Sequence, residues 1–341
     1  MVELTTIMNT KNQQVEVRPP SLITALLGGF DSTANHLSVI IFPIALDLIL
    51  WLGPRLRIRL LINDMLEQLS SLPGVNTPET ADMMALSREV WQVIAEHANV
   101  MSALRSYPVG VTSLMNQRLP VASPLGNPGG WEVNLGQLLG LWLGLTLIGL
   151  TVGSLYFGLT AQVALSNKID WLQVFHDWSR TSLQVIWLAV FLSILLLLIS
   201  IPVGLLFSII ALTGSLISQL ILFVLSGILL WLFLPVLFSP HGIFVKRMKM
   251  FASFIQGVRL TQFTLSKTGL FFLTVFIISQ GLDVLWRVPP ETSWLSLIGI
   301  AGHAFVTTSL LAASFIYYQA ADQWLQSLAR KARGAEPAQD S

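Results

Sequence analysis

The sequence predicts an all-α, polytopic helical membrane bundle: six transmembrane helices, two cytoplasmic interfacial amphipathic helices and a helical extracytoplasmic loop. Three observations carry that prediction. Hydrophobic residues make up 53% of the 341-residue chain and charged residues only 11%, against about 25% charged in ordinary soluble domains. The apolar residues gather into runs able to cross a hydrocarbon core, which takes about 20 helical residues. Between two such runs lies 240–268, which carries Lys246, Arg247, Lys249, Arg259 and Lys267 without a single acid. Its Phe244, Met248, Phe251, Ile255 and Val258 repeat at helical spacing. A basic amphipathic helix between spans is expected to lie in the cytoplasmic headgroup layer, with those five cations on anionic lipid headgroups.

Composition also excludes several classes. A net charge of +1 with no broad basic face argues against nucleic acid as a partner. No cysteine is present, which removes disulfides, thiolate metal sites and iron–sulfur ligation. The first twenty residues lack a basic stretch followed by an apolar one, so no cleavable signal is expected.

In chain order, 1–36 is read as a cytoplasmic N-terminus, loose at first. Pro20 then suits a first helical turn, and Ile23, Leu27, Phe30 and Ala34 mark an interfacial helix over 21–36. The first span is placed at 37–53, interrupted by Pro43 and Asp47. The hydrophilic stretch 54–135 is assigned outside the membrane. It begins with a helix faced by Ile58, Leu61, Met65, Leu69 and Leu72. A second helix is capped by Thr77 with Pro78 at its first turn and faced by Met83, Leu86, Val90, Ile94, Met101 and Leu104. The rest, rich in Pro and Gly, has no period. The two helices are expected to pack on each other and on the membrane surface.

Span two is placed at 136–165. There Gly136, Gly140 and Gly144, then Gly149 and Gly153, are expected to admit a neighbouring helix. Span three covers 182–212, with a kink at Pro202 and Gly204. Thr213 and Gly214 turn the chain into span four, 215–238. Span five is 269–288 and span six 294–321, joined by a turn at Pro289–Pro290. The tail, 322–341, is cytoplasmic. Outside the long loop, the inner segments hold Lys11, Arg18, Lys168, Arg180, the five cations of the basic segment, Arg330, Lys331 and Arg333. The outer ones hold only Arg287. Both termini are therefore expected in the cytoplasm, with the protein in the plasma membrane. Arg55, Arg57 and Arg59 run against this count: either they bind outer-leaflet phosphates or the first span does not cross fully.

Residues 21–51 and 251–286 share a plan: interfacial helix, polar hinge, then a span ending in an acid and a Trp (Asp47 and Trp51; Asp283 and Trp286). The segments SLITALLGGFDSTANH and ASFIQGVRLTQF that open the two units carry a resemblance to uncharacterised six-span bacterial membrane proteins. These include the membrane domain appended to some glycerophosphodiester phosphodiesterases. The resemblance implies a six-span fold and supplies no catalytic residues; the soluble phosphodiesterase domain is absent from this sequence.

Ionisable groups inside spans are costly and usually face water or a partner. Three qualify: Asp47, Asp283 and His303, all in the outer half of the predicted bundle, where together they could bind a cation or relay protons. Simpler fates are a local ion pair of Asp283 with Arg287 and hydration of Asp47 near Trp51 and Gly53. His303 lies among Gly299, Ala301, Gly302 and Ala304, whose smallness leaves room for a haem-like ring with the imidazole as axial ligand; a hydrogen bond between packed helices is the commoner role. No cofactor is therefore assigned. Gln162, Gln219 and Gln280 are expected to hydrogen-bond between helices, and His241 to sit among headgroups. No phosphate-binding, dinucleotide, zinc-protease or nucleophile-elbow motif is present, and no paired histidines suit a metal. Asp82, Glu89, Glu96 and His97 follow ordinary solvated helix faces. The favoured function is a non-catalytic scaffold or accessory subunit contacting lipids and other membrane proteins. The alternative is a transporter or channel for a small solute or lipid using Asp47, Asp283 and His303.

Overall fold

In a computed structural model that describes residues 19–72, 81–212 and 215–332, the chain is an all-α bundle organised around its last helix. The N-terminal residues 1–18, the Thr77–Pro78 cap, the turn at Thr213 and Gly214 and the tail beyond 332 lie outside the described residues. Five helices are long and apolar enough to cross a membrane, or six if one bent pair is counted as a single span.

The bent pair replaces the first predicted span. Helix α1 (Leu22–Asn35) starts at Ser21, whose Oγ accepts from the Thr24 N–H. It stops at His36, and a 3₁₀ turn (Leu37–Ile40) leads at 90° into α2 (Ile41–Leu52). Twelve residues of α2 reach roughly 18 Å, short of a hydrocarbon core of about 30 Å. Residues 37–53 are thus not a straight spanning helix. Pro43 does not cause the break, because it sits in the first turn of α2, where no N–H partner is needed.

Strand β1 (Arg55–Arg57) pairs in parallel with β2 (Gly130–Glu132), so the long loop begins and ends as one small ribbon. The arginines after α2 are spent inside it. Arg55 is buried and donates to Pro120 O, while Arg59 faces Glu132 at 3.7 Å. Helices α3 (Arg59–Ser71) and α4 (Ala81–His97) pack together through Ile62, Leu66 and Ala95. The predicted faces are turned outward instead: Met65, Leu69, Leu72, Leu86, Val90 and Ile94 are exposed.

The aperiodic remainder is the larger surprise. After a 3₁₀ turn (Val100–Leu104), the backbone enters the bundle. Val109, Val111, Leu114 and Met115 are buried in the same cluster as Leu46, Leu50 and Trp51. A single-turn helix α5 (Met115–Arg118) ends the insertion, with Leu119 in the left-handed region at φ 50°.

Helix α6 (Leu135–Ser166) opens with a capping box between Asn134 and Gln137. Its glycines do not act as one stripe. A Cβ on Gly153 would stand 2.7 Å from Val109 O, and one on Gly149 would collide with Leu104 O, whereas Gly140 and Gly144 face open space. The five-residue step from Gly144 to Gly149 turns the face by about 140°. The two inner glycines therefore receive the inserted loop, not a neighbouring helix.

Helices α7 (Trp171–Leu212, containing Pro202) and α8 (Leu216–Leu237) form a long hairpin. The basic segment is not one helix: α9 (His241–Lys246) ends at Arg247, in the left-handed region, and α10 (Met250–Trp286) begins three residues later. Helix α10 runs on through the predicted boundary at Gly269 and bends at Thr264, whose hydroxyl donates to Leu260 O at 2.6 Å. Its buried face is Ser253, Gly257, Thr261 and Thr264; Phe251 and Ile255 point outward.

Helix α11 (Ser296–Ala332) is the axis, with 67% of its most apolar stretch buried against 6% for α7. Small residues make that possible. At Gly29 of α1 a Cβ would lie 2.7 Å from Ala313 Cβ, so α1 lies against α11 at backbone distance.

Candidate functional site

Asp47, Asp283 and His303, singled out one span at a time in the sequence, are brought to one end of the bundle. Asp47 on α2 is 0% exposed. The inserted loop wraps it: Ser113 Oγ donates to Oδ1 at 2.5 Å, the Met115 N–H to Oδ1 at 2.8 Å and the Leu114 N–H to Oδ2 at 3.2 Å. Hydration at the boundary is therefore not its situation. The neighbouring Thr112 Oγ1 meets Thr307 Oγ1 at 2.8 Å, and Thr307 donates to His303 O, also at 2.8 Å. That hydroxyl chain ties the cradle of Asp47 to the helix carrying His303.

Asp283 on α10 and His303 on α11 are 2% and 1% exposed, and His303 Nδ1 lies 2.7 Å from Asp283 Oδ1. A carboxylate so placed fixes the orientation and tautomer of the imidazole. The other polar atoms of the pair, Asp283 Oδ2 and His303 Nε2, are buried without a protein partner, as is the indole Nε1 of Trp286. Buried polar atoms are nearly always paired; Ser239 Oγ, His241 Nδ1 and Tyr318 OH share this lack of a protein partner elsewhere in the bundle.

Several sequence readings change here. Arg287 does not pair with Asp283; its guanidinium donates to Gln117 Oε1. The space beside Gly302 is not free for a flat cofactor, because a Cβ there would be 2.6 Å from the ring of Trp286. Gly302 seats that indole while Gly299 admits the backbone of Trp286, and this packing gives His303 no axial-ligand role. Among the described residues no group of three or more potential ligands could hold a metal. Arg105, which sequence reasoning passed over, is near enough to feel the charges of both Asp283 and Asp47. Nothing in the sequence around it signalled this, since the loop had no period to place it.

A clasp covers the site on its outer side. Arg118 donates to Pro289 O at 2.9 Å, Glu291 Oε2 accepts from the Val121 N–H at 2.7 Å, and Trp51 Nε1 donates to Glu291 O at 2.9 Å. The loop before β2 is thereby fastened across the α10–α11 turn.

The remaining candidates lie elsewhere. Lys246 pairs with buried Asp322 at 2.5 Å and Arg247 with Asp177, while Lys249, Arg259 and Lys267 are exposed. His241 is not among headgroups: it is buried against Phe238, Phe315 and Tyr318, with Nε2 2.9 Å from Ser314 Oγ. Gln162 does join two helices, reaching Gln173 at 3.4 Å, whereas Gln219 and Gln280 are exposed. Asp82, Glu89 and Glu96 are exposed on α4, away from any common pocket with His97.

Fold and site together define an all-α bundle, five or six of whose helices are long and apolar enough to cross a membrane, with a buried acid–imidazole centre near an inserted loop. Comparison with protein-family models, curated proteins and solved structures finds no match to this chain.

Proposed function

We propose that the protein is a membrane transporter for a small solute or lipid, in which Asp47, Asp283 and His303 carry the coupling proton. The observation behind this is the Asp283–His303 pair: two ionisable groups from different long apolar helices, buried, 2.7 Å apart, each with one unpartnered polar atom. Such groups are expensive inside a membrane and mark proton or ion paths. The surroundings agree. Irregular backbone at membrane depth occurs where it is buried in protein or lines a path, and broken helices supply binding groups in many transporters. Here α1 and α2 meet at 90° and Asp47 is bound by non-helical backbone. The reading places the protein in a bacterial plasma membrane with both termini inside. Lys249, Arg259 and Lys267 then face anionic headgroups.

The test is proton flux in proteoliposomes. Wild type is expected to move protons down an imposed gradient of its solute, drawn from a panel of small solutes and lipids, with His303→Gln and Asp283→Asn losing at least about 90% of the rate, the tenfold scale of one lost essential interaction. If no member of the panel drives proton movement above protein-free liposomes, or if both variants match wild type, the transport reading is wrong.

The scaffold reading is favoured by a separate observation. Ile194, Leu197, Leu198, Ile201, Leu205 and Ile209 on α7 are exposed, as are apolar residues along α8, a surface that suits other membrane helices as well as lipid. It predicts a stable partner after mild solubilisation; a lone monomer would count against it.

A further inference from the structure

A second cavity lies along the C-terminal half of α6, and neither Asp47, Asp283 nor His303 lines it. Its volume is about 470 Å³, within the roughly 300–1,000 Å³ of small-molecule sites. Two helix faces diverge around it. On α6 the wall is small, with Ser154, Gly158 and Ala161 one turn apart; on α7 it is Val174, Asp177 and Thr181; and α9 closes the floor with Phe244. Gly158 keeps it open, since a Cβ there would stand 3.8 Å from Val174 Cγ1 and 4.0 Å from Phe244 Cδ1, room for a methyl group and little more. At its mouth Arg247 pairs with Asp177, their side chains 52% and 23% exposed. Arg180 donates to Arg247 O, which steadies the residue carrying that guanidinium.

Two features specify the occupant. The mouth holds Arg247 and Asp177 in contact, both still reachable from outside, while the other lining cation, Lys246, is paired with Asp322, so a ligand bearing both charges can exchange with each partner of the first pair without stranding the other. An anion alone would leave the Asp177 carboxylate opposed to it. An ammonium alone would do the same to the guanidinium. Arginine also matches phosphate geometry with its planar fork. Trp178 lines the cavity and its indole donates to Thr151 O at 2.8 Å, a side chain of the kind enriched at membrane interfaces. The inner wall mixes apolar Ala161, Val174 and Phe244 with the hydroxyls of Ser154 and Thr181.

We infer that this cavity binds a phosphodiester carrying a primary ammonium, the headgroup of a phosphatidylethanolamine-type lipid, with phosphate on Arg247 and ammonium on Asp177. The inference stands apart from the transport reading, because neither residue belongs to the Asp47 centre. Wild type, Gly158→Leu, Gly158→Ala and Asp177→Asn are incubated with vesicles of equal phosphatidylethanolamine and phosphatidylglycerol, re-isolated, and their retained lipid counted by native mass spectrometry. Wild type is expected to keep the ethanolamine lipid over the glycerol lipid by about tenfold or more. Gly158→Leu fills the cavity and abolishes retention, and Gly158→Ala preserves it. Asp177→Asn, a partly exposed change that does not depend on repacking, loses the preference and shifts retention toward the anionic lipid. Soluble phosphoethanolamine is added in a parallel arm. Displacement of lipid by it assigns binding to the headgroup alone, and failure to displace assigns it to the membrane-embedded lipid; either agrees with the chemistry. Equal retention of the two lipids by wild type, or undiminished ethanolamine selectivity in both Gly158→Leu and Asp177→Asn, overturns the inference.

Discussion

Replacing Asp47 separates what holds the inserted loop from what the centre does. In Asp47→Ala the Ser113 hydroxyl and the N–H groups of Leu114 and Met115 lose their common acceptor, in a pocket closed to water. A buried donor left without a partner costs about 1–3 kcal/mol. Three donors on one short turn relax together, so the total comes to about 3–6 kcal/mol. At about 2 °C per kcal/mol for a chain of this size, the melting point in detergent should fall by roughly 6–12 °C. Trp51 lies one turn away, buried in the same cluster as Leu114 and Met115, so its fluorescence is a local reporter. The 105–118 segment should become open to protease before the helices melt. Asp47→Asn keeps one carbonyl acceptor but presents N–H groups where an acceptor is needed, and should cost about 1–3 kcal/mol while removing the charge. If Asp47→Ala melts within about 1 °C of wild type, a shift worth under about 1 kcal/mol, and its loop stays protected, the carboxylate does not hold the loop and the reasoning fails.

Other outcomes follow from the same packing. Gly153→Ala drives a methyl group toward Val109 O and should destabilise by about 1–3 kcal/mol, while Gly140→Ala, facing open space, should be neutral or gain about 0.5–1 kcal/mol; paired thermal melts decide it. Gly29→Leu should force α1 off α11, since even a Cβ there meets Ser309 O and Ala313, and should cost at least about 1–3 kcal/mol in the same melts. For orientation, cysteines placed at Lys249 and Lys267 are expected to react with an impermeant reagent from the cytoplasmic side only, and one at Trp131 from the other side only. Reaction of position 249 from outside inverts the topology.

How far the sequence could be read depends on what each residue type does in lipid. Long apolar runs marked α6, α7, α8, α10 and α11 because length and hydropathy are local properties. On α1 and α10 the sequence marked an apolar stripe and assigned it to the headgroup layer, without saying which face meets the rest of the protein. In both, the large residues Ile23, Leu27, Phe251 and Ile255 turn out, and the small or hydroxylated ones, Ala25, Gly29, Ser253 and Gly257, turn in. Where the surroundings are as apolar as leucine, close approach decides the inner face. Asp47, Asp283 and His303 were legible as a group because buried charge needs company, whatever the fold. Their actual partners were not. The cradle comes from Ser113 to Met115 in a stretch without period, and the Trp286 ring over Gly302 is a contact between two helix ends that no spacing announces.

The insertion of 105–118 bears on how the molecule is made. On the orientation proposed above, that segment crosses the membrane early in synthesis, yet Thr112 bonds to Thr307 on the last helix described, and Asp47 waits with it beside α10 and α11. Until those late helices enter the membrane, the polar cradle and the bare flank of α6 at Gly149 and Gly153 have no finished surroundings. The nascent protein therefore passes through a stage with an unsettled translocated hairpin on one side of the bilayer and unpaired intramembrane charge within it. Assembly of its first third is completed only by its last, which gives membrane quality control a long interval in which to act.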